Sequence, residues 1–415
     1  MARLKGIGPG RAMMTVDEAG RRAASLAAPV AGVQTLPLAE ADGRVLAGDI
    51  VAGMPLPPFA NSAVDGYALR FDDLAANAET RLPLLGRVAA GEAANAPLGR
   101  GALRIFTGAP VPSGADTVVM QEDVTCDGAV VALPPGLRRG ANLRPAGEDV
   151  ARGECVLAAG HRLRPQDLAL LAALGRARVA VLRRPRVALF STGDELTEPG
   201  RPLPPAGIYD ANRALLRALL ARAGVETRDL GILRDERDSL AARLGEAARG
   251  CDLVMTSGGV SVGEEDHVRA ALTALGTLDF WRVAIKPGKP VAFGTVAGTP
   301  FLGLPGNPVA VFVTFAVVAR PLLARLAGTA CAPLLPVPVR LGFAHRGKPG
   351  RREYLRVSVA PAADGVPLAR RHPGEGAGSL ASLAQSDGLV EIAEHRPLAE
   401  AGEIRPFLPY SALLG

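Results

Sequence analysis

Cysteine is scarce in this chain of 415 residues, and its four copies, Cys126, Cys155, Cys251 and Cys331, stand far apart with no Cys-x-x-Cys pair and no adjacent histidine. That spacing supports neither a disulfide framework nor a zinc site, and the four are expected to be small buried hydrophobes. Aromatics make up only 4% of residues, too few for the platforms on which bases stack. The formal net charge is +6, yet basic residues cluster only in short pairs such as Arg183-Arg184 and Arg370-Arg371, so nucleic acid is not an expected partner. No apolar run approaches the roughly 20 residues that span a bilayer. The longest, 309–319, is closed by Arg320 and Pro321 and reads as a buried helix, so no membrane partner is expected. Residues 1–10 lack the apolar segment of a secretory leader, which points to the cytoplasm. The five histidines have no metal-ligand spacing, and no Ser-His-Asp or Cys-His pattern is visible. Lysine is rarer still, present only at Lys5, Lys286, Lys289 and Lys348. Two of these fall in Ile-Lys-Pro-Gly-Lys-Pro, where either a compact, rotatable ammonium is needed or a turn has gathered them by chance.

What the chain does have is a run from Cys251 to His267 that passes from an apolar stretch through Ser257-Gly-Gly-Val-Ser-Val-Gly263 into Glu264, Glu265 and Asp266. Glycines let backbone N–H groups turn toward an anion. Carboxylates beside such a cradle would repel a phosphate unless a cation lies between them, so the run suggests Mg²⁺-bridged nucleotide or pyrophosphate chemistry. A Gly-rich turn can also simply join a strand to a helix.

The length allows two to four domains. Residues 184–330 alternate strand and helix signals, as in a doubly wound parallel α/β sheet: strands at 186–190, 225–230, 253–255, 280–285, 291–296 and 300–304, with helices at 212–223, 238–248, 266–275 and from Pro308. Thr15-Val-Asp-Glu18 is a capping box opening a helix to about residue 28. Beyond Pro55, short Val/Leu/Ile runs between Pro/Gly turns predict a mostly β N-terminal region, 11–183, ending in the linker Arg183-Arg-Pro-Arg186. The tail, 333–411, reads as a small β-barrel or sandwich.

Ligands of open α/β sheets bind outside the carboxyl ends of the strands. The loops 192–195, 257–266 and 304–308 should therefore share one rim. Asp194 and Glu195 lie where a strand ends in a Gly turn and suit a cation, or are merely solvated. Asp235 and Asp210 could join them or cap the next helices. In Leu304-Pro-Gly-Asn-Pro308, Asn307 is the expected cap, with the first-turn N–H groups open to an anion or simply starting a helix.

Taken together, Pro58-Phe-Ala-Asn-Ser-Ala-Val-Asp-Gly-Tyr-Ala68, Thr107-Gly-Ala-Pro-Val-Pro112, Gly147-Glu-Asp149, Ser191-Thr-Gly-Asp-Glu-Leu196, Ser257-Gly-Gly-Val-Ser-Val-Gly263, Lys286-Pro-Gly-Lys-Pro290 and Leu304-Pro-Gly-Asn-Pro308 resemble the molybdopterin molybdenumtransferases. These are the MoeA proteins, related to the E domain of gephyrin, and the likeness runs collinearly over about 15–409. It implies a multidomain α/β subunit with an N-terminal region of two subdomains, a central molybdopterin-binding domain and a C-terminal barrel. It also implies a homodimer, with a cleft between the central domain of one copy and the N-terminal part of the other. The implied reaction converts adenylylated molybdopterin and molybdate to molybdenum cofactor and AMP, with Mg²⁺.

By the same resemblance Glu195, Asp235 and Asp266 would handle Mg²⁺ and pyrophosphate, and Asp65, Thr107 and Asp149 would form the opposing wall. Ser257, Gly258, Gly259 and Ser261 would cradle phosphate. Lys286, Lys289 and Arg351 would hold molybdate and the terminal phosphate, while Pro305, Asn307 and Pro308 would shape the cleft. Contacts with a molybdopterin adenylyltransferase and with cofactor-accepting proteins would follow. Val64 replaces a Met common before Asp-Gly-Tyr, and 376–388 lacks a doubled serine, leaving Ser379 and Ser382 as molybdate contacts. An adenylyltransferase using ATP and a gephyrin-like scaffold are the rival readings; the additional N- and C-terminal regions argue against the first, and the absence of a further domain and long linker against the second.

Overall fold

The computed structural model describes residues 13–92, 97–233, 237–258 and 267–414. Its centre is a six-stranded sheet built from β1 (Arg186–Ser191), β2 (Glu226–Ile232), β3 (Leu253–Ser257), β4 (Gly276–Arg282), β5 (Pro290–Val296) and β6 (Thr299–Leu304). The spatial order is β2-β1-β3-β6-β5-β4. The first four strands are parallel, and β5 and β4 extend the sheet as an antiparallel meander. Every residue of β3 is buried, as a strand covered on both faces requires. Side chains alternate between two cores: Val187, Leu189, Leu253 and Met255 point to one, and Ala188, Phe190 and Val254 to the other.

The first core also holds the N-terminal helix Val16–Ser25 and the long apolar helix after β6. The capping box at Thr15 forms as expected, the hydroxyl accepting from the Glu18 N–H and the Glu18 carboxylate accepting from the Thr15 N–H. The long helix does not stop at Arg320 and Pro321 but runs over Pro308–Leu326. Pro321 has no N–H to offer the Val317 carbonyl, and the π-helical segment Phe315–Ala319 absorbs the wider turn. The N-terminal helix approaches closely there, since a Cβ on Gly20 would lie 3.1 Å from the Val317 oxygen. The helix has a mean hydropathy of 1.9 in its most apolar window, but 72% of that window is buried in the protein, so it is a core helix.

The N-terminal region is split. One part is a six-stranded sheet that includes Gly66–Leu69, Thr80–Val88, Ala102–Ile105 and Thr117–Met120. The other is assembled from both flanks, with Val33–Pro37 antiparallel to Arg178–Leu182. At the joint with the centre, Arg183 donates to both carboxylate oxygens of Asp252 at 2.8 and 2.6 Å, so the Arg-rich link is pinned. In the C-terminal domain, strands Val337–Leu341, Arg352–Ala360, Leu368–Arg371, Gly388–Ile392 and Ile404–Pro409 close a five-stranded barrel, because the second also pairs with the fourth.

The cysteines correct the sequence reading. All four are free, but Cys155 and Cys331 are exposed and Cys126 and Cys251 half-buried. Cys155 begins a strand of a two-stranded ribbon in which Val156 and Leu157, not the thiol, pack against small cores, and Cys331 lies in the link to the barrel.

Candidate active site

Three places gather the residues singled out above. The first is the carboxyl edge of the parallel strands. Ser191 and Ser257 end β1 and β3 in register, and Ser257 is paired with Leu304 of β6. The three loops touch through backbone: the Gly258 N–H donates to the Leu304 carbonyl at 3.2 Å, and a Cβ on Gly258 would sit 3.0 Å from the Thr192 oxygen. Gly258 has φ +86, so glycine is needed for conformation as well as for space. At this edge the hydroxyls of Ser191, Thr192, Thr256 and Ser257 and the Asn212 side-chain oxygen are buried without a hydrogen-bond partner among the described residues. Unpaired buried polar atoms each cost about 1–3 kcal/mol, a cost that partners from a polar ligand would relieve.

The loop carrying Asp194 and Glu195 leaves this edge and returns to Asp210. Both acids are exposed, and the Glu195 carboxylate folds over Gly193. The excursion is held by Arg213 in the helix Ala211–Arg222: its guanidinium donates to Asp210 at 3.0 Å, to Asp229 at 2.7 Å, and to Glu198. Burial opposes the Arg213 charge, but the bonds to Asp229 and Asp210 outweigh it and push its pKa up. Asp210 is thus a helix cap, accepting from the Arg213 N–H, and not a rim ligand. Among the described residues no three of His, Cys, Asp and Glu converge on a metal site. Of the expected acidic triad only Glu195 can be placed; Asp235, Asp266, Gly259 and Ser261 lie outside the described residues.

After β6, Pro305 is buried and Asn307 occupies the cap position, but its side chain caps nothing. The Gly306 carbonyl accepts from Asn212 at 2.6 Å. The first helical turn, beginning at Pro308, is not left wholly open, since the Val309 N–H donates to Ala377 of the barrel domain at 3.0 Å.

The second place is in the N-terminal sheet region. Asp65 accepts from both the N–H and the hydroxyl of Thr107 at 2.8 Å, and these bonds hold its carboxyl below the usual range. Arg104 stacks over Tyr67 and Phe106 beside them. Asp149 is exposed on a loop whose N–H donates to Leu56.

The third place joins the central domain to the barrel. The two-residue strand Ile285–Lys286 leaves the centre to pair with Arg352–Ala360 of the barrel, setting Lys286 opposite Glu353. Here lies a cavity of about 100 Å³ whose lining includes Lys286, Glu353, Arg356, Arg371, His372 and Glu375. Arg371 is neutralised by Glu375 at 2.9 Å. Arg356 is 6% exposed and meets only neutral groups: its guanidinium donates to Ser382 Oγ at 3.0 Å and to the carbonyls of Gly374 and Gly376 at 2.6 and 3.2 Å. No carboxylate bonds it; Glu375 acts on it only through space, and burial still pulls its pKa down, so a buried cation of this kind is costly unless an anion arrives. Lys289 and Arg351 do not line this cavity, whereas Arg356, Arg371 and His372, passed over in the sequence, do. Ser382 enters as the residue that orients Arg356, its own proton going to the Ser379 carbonyl.

Comparison with known proteins decides the family. The chain is 37% identical over 409 residues to a molybdopterin molybdenumtransferase of Haemophilus influenzae, covering 97% of this chain and all of that one. The chain belongs to the MoeA family. Residues 14–175 match the MoeA N-terminal region (domain I and II), 188–325 a probable molybdopterin binding domain, and 338–410 the MoeA C-terminal region (domain IV). Molybdopterin molybdenumtransferase 2 of Mycobacterium tuberculosis is 38% identical over 387 residues, 87% of this chain and 91% of its own. The crystal structure of a molybdopterin biosynthesis MoeA protein from Pyrococcus horikoshii aligns with a TM-score of 0.83 at 31% identity, over 96% of this chain and all of that one. As a MoeA protein, the chain is a transferase of molybdenum cofactor biosynthesis, with the split β N-terminal region, central parallel-sheet domain and five-stranded barrel of that fold.

Proposed function

We propose that this MoeA protein inserts molybdenum into adenylylated molybdopterin, consuming molybdate and releasing molybdenum cofactor and AMP. The observation that carries the reading is the uncompensated Arg356 in a cavity of about 100 Å³, a size and charge suited to a tetrahedral oxyanion. Arg356 and Lys286 then hold molybdate. Ser257, Gly258 and the orphaned hydroxyls beside them bind the polar groups of the pterin substrate. Lys289, Arg351, Gly259 and Ser261 act at the phosphates, and Pro305, Asn307 and Pro308 shape the loop between rim and barrel.

A molybdate oxygen attacks the adenylyl phosphorus and breaks the P–O–P bond, freeing the molybdopterin phosphate. As the two dithiolene sulfurs bind molybdenum, the Mo–O bond to that oxygen breaks, AMP leaves carrying the oxygen, and the two thiol protons pass to solvent. Positioning and charge compensation do most of the work, as in other phosphoryl-transfer sites. The exposed Glu195 carboxylate suits a hard cation, and with Asp235 and Asp266 it would hold Mg²⁺, which when bound would neutralise phosphate oxygens. Asp65, Thr107 and Asp149 form the opposing wall; in a homodimer this wall faces the rim of the other copy. A cytoplasmic setting suits an enzyme that receives its substrate from an adenylyltransferase and passes cofactor to acceptor proteins.

The test is a single-turnover assay of AMP release with Mg²⁺, with and without molybdate, beside Asp266→Asn. Molybdate-dependent release that the variant loses is the expected result. Formation of adenylylated molybdopterin from ATP and molybdopterin, with no AMP release from the adenylylated compound, would replace this reading with the adenylyltransferase one.

A further inference from the structure

One side chain in the oxyanion cavity has the wrong sign for it. Glu353 is 0% exposed and lines the cavity, where a carboxylate repels an incoming anion. Both its oxygens are engaged: Oε2 accepts from Lys286 Nζ at 3.0 Å and lies 2.9 Å from His345 Nε2, and Oε1 accepts from the Lys348 N–H at 3.1 Å. Three of the roughly four lone-pair sites of the carboxylate are thus taken within the protein, which leaves Glu353 little capacity as an acceptor for a protonated oxyanion. The strands Ile285–Lys286 and Arg352–Ala360 also pair through backbone at this point.

What it changes is charge. Lys286 is paired with Glu353 and Arg371 with Glu375, which leaves Arg356 as the unpaired cation among the residues that line the cavity. Histidine aside, the lining therefore carries one positive charge in excess, less than a dianion such as molybdate would balance.

Resting on the oxyanion reading above, we propose that Glu353 is a positioning residue that holds the Lys286 ammonium at the cavity wall and attenuates its charge. The anion is then bound weakly enough to be handed on to the dithiolene. A cavity built for maximum affinity would carry a neutral residue at this position. Arg356 supplies the hold on the anion, and the Lys286–Glu353 pair sets how tight that hold becomes.

The test measures molybdate binding to the full chain by isothermal titration calorimetry without pterin, so that it does not depend on turnover. Glu353→Gln keeps the shape and drops the charge, and should tighten molybdate binding about tenfold. In the complete reaction KM for molybdate and kcat should fall together, since a tighter ground state slows transfer. Glu353→Asp, which keeps the charge, should return both toward the parent values. Lys286→Met should weaken binding less than Arg356→Met, and this pair decides the matter should Glu353→Gln fail to fold. Unchanged or weaker binding in Glu353→Gln overturns the attenuator, as does a larger loss in Lys286→Met than in Arg356→Met. If the parent protein does not bind molybdate, or Arg356→Met binds it like the parent, the oxyanion site itself is wrong.

Discussion

The carboxyl edge of the central sheet and the joint with the barrel prepare for ligands by opposite means. At the edge, Ser191, Thr192, Thr256 and Ser257 are neutral, buried and unpartnered, so the fold carries a deficit of hydrogen bonds that a polar ligand can fill. At the joint nearly every group is bonded, and the deficit is one of charge, a guanidinium held by a hydroxyl and two carbonyls with no carboxylate bonded to it. Both arrangements make the empty site less stable than it need be, as functional sites commonly do. Neutral hydroxyls suit a ligand with many weakly polar groups. A buried charge suits a small, compact anion.

The largest effect should come from removing that charge. Arg356→Met should reduce molybdate-dependent turnover by roughly 100-fold, as the loss of a charge-assisted contact does. Its melting temperature should hold or rise, because an uncompensated buried cation is replaced by an apolar chain. A large fall in stability with activity preserved would make Arg356 a structural residue.

Arg213 is the control for this contrast, a buried arginine whose charge is met by Asp210, Asp229 and Glu198. Arg213→Met should destabilise the protein by about 3 kcal/mol in denaturant unfolding, because it strands a carboxylate that is 1% exposed at Asp210. A mild change would mean that Glu198 and Asp229, which are more open to water, carry little of the energy.

Smaller again is the change expected at the edge. Ser257→Ala removes a hydroxyl with no partner, so it should leave stability unchanged or raise it by up to about 1 kcal/mol while slowing product formation about tenfold. If stability instead falls as turnover is kept, the hydroxyl serves the fold and not the ligand.

The difference between the two places also explains how well each could be read from sequence. The edge was legible because strand period and Gly-rich turns are local signals: β1, β3 and β6 lie where the apolar runs end, and their loops meet as an open sheet requires. The joint was legible only in part. The rarity of lysine drew attention to Lys286, but in Gly-Arg-Arg-Glu-Tyr-Leu-Arg no pattern separates Arg351 from Arg356. That choice depends on which side of a barrel strand faces the cavity, which is set by pairing with residues far away. The exposed cysteines and the helix that passes Pro321 were missed for a related reason, since burial and a π-turn depend on tertiary packing.

The smallest effect is expected at Asp65 in the N-terminal sheet region, which stands between the two types: a charged group whose hydrogen bonds come from a backbone N–H and a hydroxyl. The Thr107 N–H lowers the Asp65 carboxyl most, followed by the Thr107 hydroxyl. Thr107→Val removes the second and keeps the first, so the Asp65 titration followed by NMR should move upward but stay below its ordinary value of about 3.9. A depressed folded pKa stabilises the fold above the unfolded value, and that stability is lost as pH falls through the folded pKa. The variant should therefore give up a small part of its stability, fully expressed above about pH 4 and absent in strong acid, with Asp65 ionised in both proteins at neutral pH. Turnover at neutral pH should then change only as far as the hydroxyl itself touches substrate. An unmoved Asp65 titration would assign the depression to the backbone N–H and the nearby Arg104 charge and make the Thr107 hydroxyl free for the ligand.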